Sequence, residues 1–183
     1  VVKIKDIQIQ ENFLSPFLKN EIYSVTTSSF FPWFYSDQTS FDKKNKDINQ
    51  FGFSNVIYDK HNNFRSENFI TFFGMIPQIE EKFNVSIKEI IRIRAGLQTM
   101  IEAKNNIKHT PHVDYDFDHK TLLYYVNNSD GDTAFFNDND KTMPCLSVTP
   151  KSNLAVFFNG NILHSSSSPK NTSRRIAINI NII

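Results

Sequence analysis

Residues 109–119 read "HTPHVDYDFDH" and put three histidines and three aspartates into eleven positions. Each of the six side chains can ligate a metal, yet one ion would not use them all. In a strand, residues i and i+2 point to the same face. An extended "PHVDY" therefore sets His112 and Asp114 side by side and turns Val113 away. Pro111 favours that reading, because the residue before a proline is pushed out of the helical region and proline suits the first position of a strand. Asp116 shares this parity but moves away from His112. "DFDHK", with Asp116, Asp118 and His119, is expected to be a solvated turn. His109 is expected just outside the strand, with a supporting role left open.

Two ligands do not complete a site. Of the other histidines, His61 lies in the polar stretch "YDKHNNF" and reads as a surface residue. His164 ends "FFNGNILH", where Asn159-Gly160 between apolar runs signals a two-residue hairpin. That turn would pair Phe158 with Asn161 and set Ala155 opposite His164, holding the histidine on a β-scaffold. Two histidines and one carboxylate on strands form the facial arrangement of non-haem Fe(II) oxygenases, with positions left open for other ligands. A structural zinc site would want four protein ligands, usually with cysteine, and Cys145 is the single cysteine.

A chain of 183 residues with 39% hydrophobic residues and eighteen phenylalanines is expected to form one globular domain, 1–183. A net charge of +1 supplies no global field for nucleic acid or an anionic membrane. The lone cysteine fits a reducing compartment. "VVKIKDIQIQ" alternates instead of forming a signal-peptide apolar run, and no run is long enough to span a bilayer. The expectation is a soluble cytoplasmic protein.

Residues 1–88 read as a supporting region. Val2, Ile4, Ile7 and Ile9 suggest one strand or two half-strands. Ser15 and Pro16 suggest an N-cap and first helical position. Trp33 and its aromatic neighbours read as core packing, and Lys43, Lys44 and Lys46 as a solvated loop. From Ser66, the residues Phe69, Ile70, Phe73, Ile76 and Ile79 recur at helical spacing, and Pro77 is expected to kink or split that helix. Residues 89–183 change to short β-like segments: "EIIRIRAG", "LQTMIEA", "TLLYYVN", "DTAFFN", "CLSVTP", "NLAVFFNGNILH" and "RRIAININ". Short strands separated by turn signals point to a mainly β sandwich or barrel with N-terminal helices, an α+β chain.

From about Ile91 to Ile182 the chain resembles the Fe(II)/2-oxoglutarate-dependent oxygenase superfamily, on its prolyl 4-hydroxylase-like branch. The resemblance rests on four parts in family order. They are the His-x-Asp of "HVD", then "LLYYVNNSDGDTAFF", then "KSNLAVFFNGNILHS" with the distal histidine, and "RRIAINI" with a basic residue. Short oxygenase-like proteins of marine phages and bacteria are similar, which would place a phage-encoded chain in the host cytoplasm.

The resemblance implies a double-stranded β-helix (jelly roll) and Fe(II) held by His112, Asp114 and His164. It implies 2-oxoglutarate and O₂ as co-substrates, with ascorbate as an accessory reductant. 2-Oxoglutarate would be oxidatively decarboxylated to succinate and CO₂ as an unactivated C–H bond is hydroxylated. Its far carboxylate would meet Arg175, which shares a face with Ala177 and Asn179, rather than Arg174, which shares one with Ile176, Ile178 and Ile180. Tyr125 aligns with a tyrosine that can reach the same carboxylate. Gly131-Asp132-Thr133 departs from the usual Gly-Gly-x-Thr. Asn181 stands where nucleic-acid demethylases carry a second basic residue, which argues against nucleic acid as substrate. The primary substrate is a peptide, amino acid or other small molecule, prolyl or peptidyl by branch resemblance alone. The alternatives are a jelly roll that binds metal or a ligand without turnover, and a zinc hydrolase on the same triad.

Overall fold

The computed structural model describes residues 6–37, 50–102, 109–137 and 140–183. The strand expected at Val2 and Ile4 and the lysine loop at 43–46 lie outside those residues.

Two β-sheets face each other, and helices cover the outer side of the larger one. In chain order the elements are β1 (Ile7–Gln10), α1 (Pro16–Thr27), β2 (Phe34–Ser36), β3 (Gly52–Asp59), β4 (Phe64–Arg65), α2 (Phe69–Phe73), α3 (Ile76–Phe83) and β5 (Ile90–Thr99). Then follow β6 (Lys120–Tyr125), β7 (Thr133–Asn137), β8 (Asp140–Val148), β9 (Leu154–Asn159), β10 (His164–Ser166) and β11 (Arg174–Ile182). The large sheet runs β1-β9-β6-β11-β5-β3-β2, with β4 paired to β3, and the small sheet runs β10-β7-β8. This is a double-stranded β-helix.

The helices begin and break where local chemistry requires. Ser15 Oγ accepts from the Leu18 N–H, and Pro16 opens α1 without losing a hydrogen bond. The second helical stretch is split. α2 stops at Gly74, and Pro77 falls in the first turn of α3, where its missing N–H costs nothing. Asn84 closes α3 in the left-handed region at φ 51°.

Period-2 alternation divides the core in two. Ile93, Ile178, Ile180, Tyr124 and Phe157 face the helices, meeting Phe13, Ile22, Phe72 and Ile79. Leu123, Tyr125, Val156, Phe158 and Ala177 face the small sheet, meeting Phe135 and Val148. Truncating a fully buried ring such as Phe72 would cost about 3–5 kcal/mol. Phe31 stacks edge-on against Trp33 at 4.9 Å and packs on the core, but Phe30, Phe34 and Tyr35 are exposed, so only part of the aromatic stretch is core.

Three local expectations need correction. "EIIRIRAG" and "LQTMIEA" are not two strands: β5 runs unbroken through Gly96 to Thr99, because both its edges are paired, to β3 and β11. "PHVDY" is not a strand either. Only His112 pairs, in an isolated antiparallel bridge with His164 closed by N–H···O bonds of 2.9 and 3.0 Å. The Asn159-Gly160 hairpin is absent. β9 pairs with β1 and β6, Ala155 lies opposite Tyr124, and His164 lies opposite Phe135 in the other sheet. A primed hairpin turn needs positive φ at its central residues, and no glycine among the described residues has it. Instead the Asn161 N–H donates to Asn159 Oδ1 at 3.1 Å and the Ile162 N–H to Asn159 O at 2.9 Å. The chain thereby crosses from the large sheet to the small one.

Candidate metal centre and its cavity

The crossing that replaces the hairpin brings His164 beside His112. One ligating atom from each of His112, Asp114 and His164 lies within 4.8 Å of the other two, on the wall of a cavity between the sheets. Both imidazoles are locked in the same way. His112 Nδ1 is 3.1 Å from Thr110 O, and His164 Nδ1 is 3.0 Å from Ile162 O. A carbonyl can only accept, so each Nδ1 carries a proton and Nε2 is left as the atom able to ligate. Burial and the neighbouring His164 bring the His112 pKa down to about 4, which keeps the ring neutral and able to ligate.

Asp114 is positioned as tightly. Oδ1 accepts from Arg92 Nη2 at 3.2 Å, and Oδ2 accepts from Asn179 Nδ2 at 3.0 Å and Asn181 Nδ2 at 2.8 Å. Burial alone would raise its pKa. His164, Arg92, His112 and the Asn179 amide outweigh it and hold the carboxyl ionised, well below the usual range. Two imidazoles that turn Nε2 to the cavity and one ionised carboxylate, with no thiolate, fit a divalent metal that keeps open positions.

Along β11 and β5 the cross-strand pairs Arg175–Gln98, Ala177–Gly96, Asn179–Arg94 and Asn181–Arg92 share the cavity face. Arg175 is 3% exposed whereas Arg174 is exposed, as parity requires. Arg175 donates to Gln98 Oε1 at 2.7 Å and to Thr133 Oγ1 at 2.8 Å, and its guanidinium lies 5.4 Å from the Tyr125 ring centroid. The Tyr125 hydroxyl donates to the same Thr133 Oγ1 at 2.8 Å. Gln98 and Thr133 are neutral, and the Asp132 carboxylate acts on this buried cation through its field. Gly131 lets the chain pass here, since a Cβ would come within 2.5 Å of Ser167 O and 3.1 Å of Arg175 Cδ. That one glycine of the Gly-Gly pair is sterically required, and Asp132 takes the other place.

The remaining residues of "HTPHVDYDFDH" divide by environment. Asp116 and Asp118 are exposed, and Asp118 accepts from Asn161 Nδ2 at 2.7 Å. His119 is not part of a solvated turn: it is 3% exposed, and its ring fills the space over Gly160, where a Cβ would sit 2.0 Å from Nε2. The backbone bond from the Gly160 N–H to His119 O, 2.9 Å, pulls the ring into that place. His109 is buried between Ser166 Oγ at 2.9 Å and Ser168 Oγ at 3.1 Å. Ser166 Oγ accepts from Gln98 Nε2 at 3.1 Å, so His109 braces the side chain that holds Arg175. Sequence reasoning missed Arg92 and Gln98, and it gave Asn179 and Asn181 no part in holding Asp114. The alternation of Arg92, Arg94, Gly96 and Gln98 with Ile91, Ile93, Ala95 and Leu97 was the available signal.

This fold is shared with 2-oxoglutarate/Fe(II) oxygenases, prolyl 4-hydroxylases among them. No family model and no curated protein matches the chain. Solved structures do. A 2OG-Fe(II) oxygenase family oxidoreductase from Burkholderia pseudomallei superposes with a TM-score of 0.69 at 9% identity, over 97% of this chain and 85% of that one. The viral collagen prolyl hydroxylase of Paramecium bursaria Chlorella virus-1, in complex with 2OG, gives 0.58 at 14% identity over 97% and 95%. The nogalamycin-biosynthesis epimerase in complex with Fe³⁺ and α-ketoglutarate gives 0.64 at 11% over 97% and 78%. No helix among the described residues is long and apolar enough to cross a membrane.

Proposed function

We propose that this protein is an Fe(II)- and 2-oxoglutarate-dependent oxygenase. The observation that carries the reading is one cavity holding both the convergent His112, Asp114 and His164 and the buried Arg175, whose fork is held by the neutral side chains of Gln98 and Thr133. His112, Asp114 and His164 would hold the iron through two Nε2 atoms and one carboxylate oxygen. A buried guanidinium is costly without an anion, and its planar fork matches a carboxylate, so Arg175 would take the far carboxylate of 2-oxoglutarate. Gln98 and Thr133 orient that fork. Tyr125 stacks beneath it and contributes through Thr133. When bound, the metal and co-substrate supply O₂ activation with oxidative decarboxylation to succinate and CO₂.

The chain's own residues bind and orient. The Nδ1–H bonds of the two histidines fix their rings, and Arg92, Asn179 and Asn181 keep the Asp114 carboxylate ionised and aimed. Leu123 and Ala177 line the cavity and limit its water. Hydroxylation of a prolyl or peptidyl substrate is favoured by the prolyl hydroxylases among the fold neighbours. An epimerase shares the fold, so the outcome at the substrate carbon follows from the substrate, not the scaffold.

Anaerobic titration of the apoprotein with Fe(II) and then 2-oxoglutarate tests the reading. A visible metal-to-ligand charge-transfer band is expected, with iron-dependent succinate release once O₂ is admitted. A protein that binds the metal and gives no such band would be the metal-binding jelly roll without turnover.

A further inference from the structure

Three arginines face the cavity side of β5 and β11, and they differ in what they touch. Arg92 donates to Asp114 and lies over the Tyr115 ring, 5.1 Å from its centroid. Arg175 is held by Gln98 and Thr133. Arg94 lines the same cavity as the triad, and among the described residues it makes no hydrogen bond or ion pair. Burial and the adjacent charge of Arg92 both work against its protonation, and Asp114 and Tyr115 are the groups that favour it. No hydrogen bond or ion pair joins Arg94 to Asp114, whose oxygens take Arg92 and two amides.

Under the function proposed above, on which this inference rests, both carboxylates of 2-oxoglutarate are already placed, one at the metal and one at Arg175. Arg94 stands opposite Asn179, four residues along β5 from Gln98, or ~13 Å of strand away from the Arg175 end. It is an unmatched cation at the metal end of the cavity. We propose that Arg94 recognises a carboxylate of the primary substrate, so that the substrate class is a small carboxylic acid, or a chain end or side chain bearing one, bound with its carboxylate beside the metal. A guanidinium takes a carboxylate through two parallel hydrogen bonds, which fixes orientation as well as affinity.

The test follows the Nε–Hε resonance of Arg94 by NMR, assigned by its loss in both Arg94→Met and Arg94→Lys. Zn(II) and 2-oxoglutarate fill the cavity without turnover, and sodium acetate is the probe, with sodium chloride at equal ionic strength as the control. A saturable acetate shift that chloride does not reproduce, and that persists with Zn(II) and 2-oxoglutarate bound, is the expected result. Calorimetry should show acetate affinity falling at least ~10-fold in Arg94→Met and by less in Arg94→Lys, which keeps the charge and loses the fork. A linear or absent shift would overturn the proposal. So would a shift that 2-oxoglutarate produces by itself while blocking acetate, since the carboxylate at Arg94 would then be the co-substrate's own. Failure of the oxygenase reading looks different: Arg175, not Arg94, would show no response to 2-oxoglutarate.

Discussion

The Asn181 side-chain amide donates to Asp114 Oδ2 at 2.8 Å, across 67 positions of sequence. Its own side chain is fully buried, and the same amide also reaches Thr121 Oγ1 at 3.1 Å. Asn181 thereby holds in place the carboxylate proposed to bind the metal.

Asn181→Ala removes that support while leaving all three ligands. Groups behind metal ligands typically contribute 10–100-fold in affinity, so Fe(II) binding should weaken by about 10-fold. Asn181→Asp should be worse, because it sets an acceptor against Asp114. Titration of the apoprotein with Fe(II), with thermal melts to confirm folding, checks both.

The triad and its sequence neighbours should separate cleanly. His112→Ala, Asp114→Ala and His164→Ala each remove a ligand and should abolish stoichiometric iron binding and succinate release. Asp116→Ala should leave both unchanged, since that side chain is exposed. Iron loss in Asp116→Ala, measured by metal analysis after gel filtration, would contradict the assignment.

Gly160 and His119 form a steric pair with no place in the metal site. Gly160→Ala drives a methyl into the His119 ring and should destabilise the fold by about 1–3 kcal/mol. Iron bound per folded molecule should stay near wild type. Denaturant unfolding and metal analysis on the same samples test this.

At the other end of the cavity, Arg175→Met should weaken 2-oxoglutarate by roughly 100-fold, the scale of a lost charge-assisted pair. Gln98→Leu frees the fork without removing it and should cost about 10-fold. Arg174→Met, on the exposed side, should do neither. The anaerobic charge-transfer titration reads all three.

Asp130 gives a pH-dependent prediction away from the site. Its carboxylate accepts from the Lys170, Asn171 and Thr172 backbone N–H groups and from the Asn171 and Thr172 side chains. Burial raises its pKa, but the Thr172 hydroxyl and the backbone N–H groups of Asn171, Asp130 and Lys170 together outweigh it, so the folded value lies below the ordinary 3.8. A depressed carboxyl pKa stabilises the fold above the unfolded pKa, and the contribution is lost as pH falls through the folded value. Asp130→Asn should therefore melt roughly 2–4 °C lower at neutral pH. The gap should close in strong acid, and an equal gap at both pH values would rule out the ionised carboxylate as its source.

Much of this molecule is determined by local chemistry, and those parts were legible in the chain. Ser15-Pro16 starts a helix because a hydroxyl caps an N–H and proline lacks one. Pro77 splits a helical stretch because of that same missing donor. Alternation along 174–182 separates Arg175 from Arg174 because a strand's period is two. Burial and long-range pairing were decided only in three dimensions. Asn159-Gly160 carries the signature of a hairpin, yet the chain crosses between sheets there, because both edges of β9 are taken by β1 and β6 and the His119 ring occupies the space beside Gly160. His119 and His109 read as loop residues and are buried. Arg92, Asn179 and Asn181 converge on Asp114 only because β5 and β11 are neighbours, in a register that no local preference of either strand encodes. "HTPHVDYDFDH" names two of the three proposed ligands by itself; the third, and everything that holds and charges the site, comes from how distant strands pair.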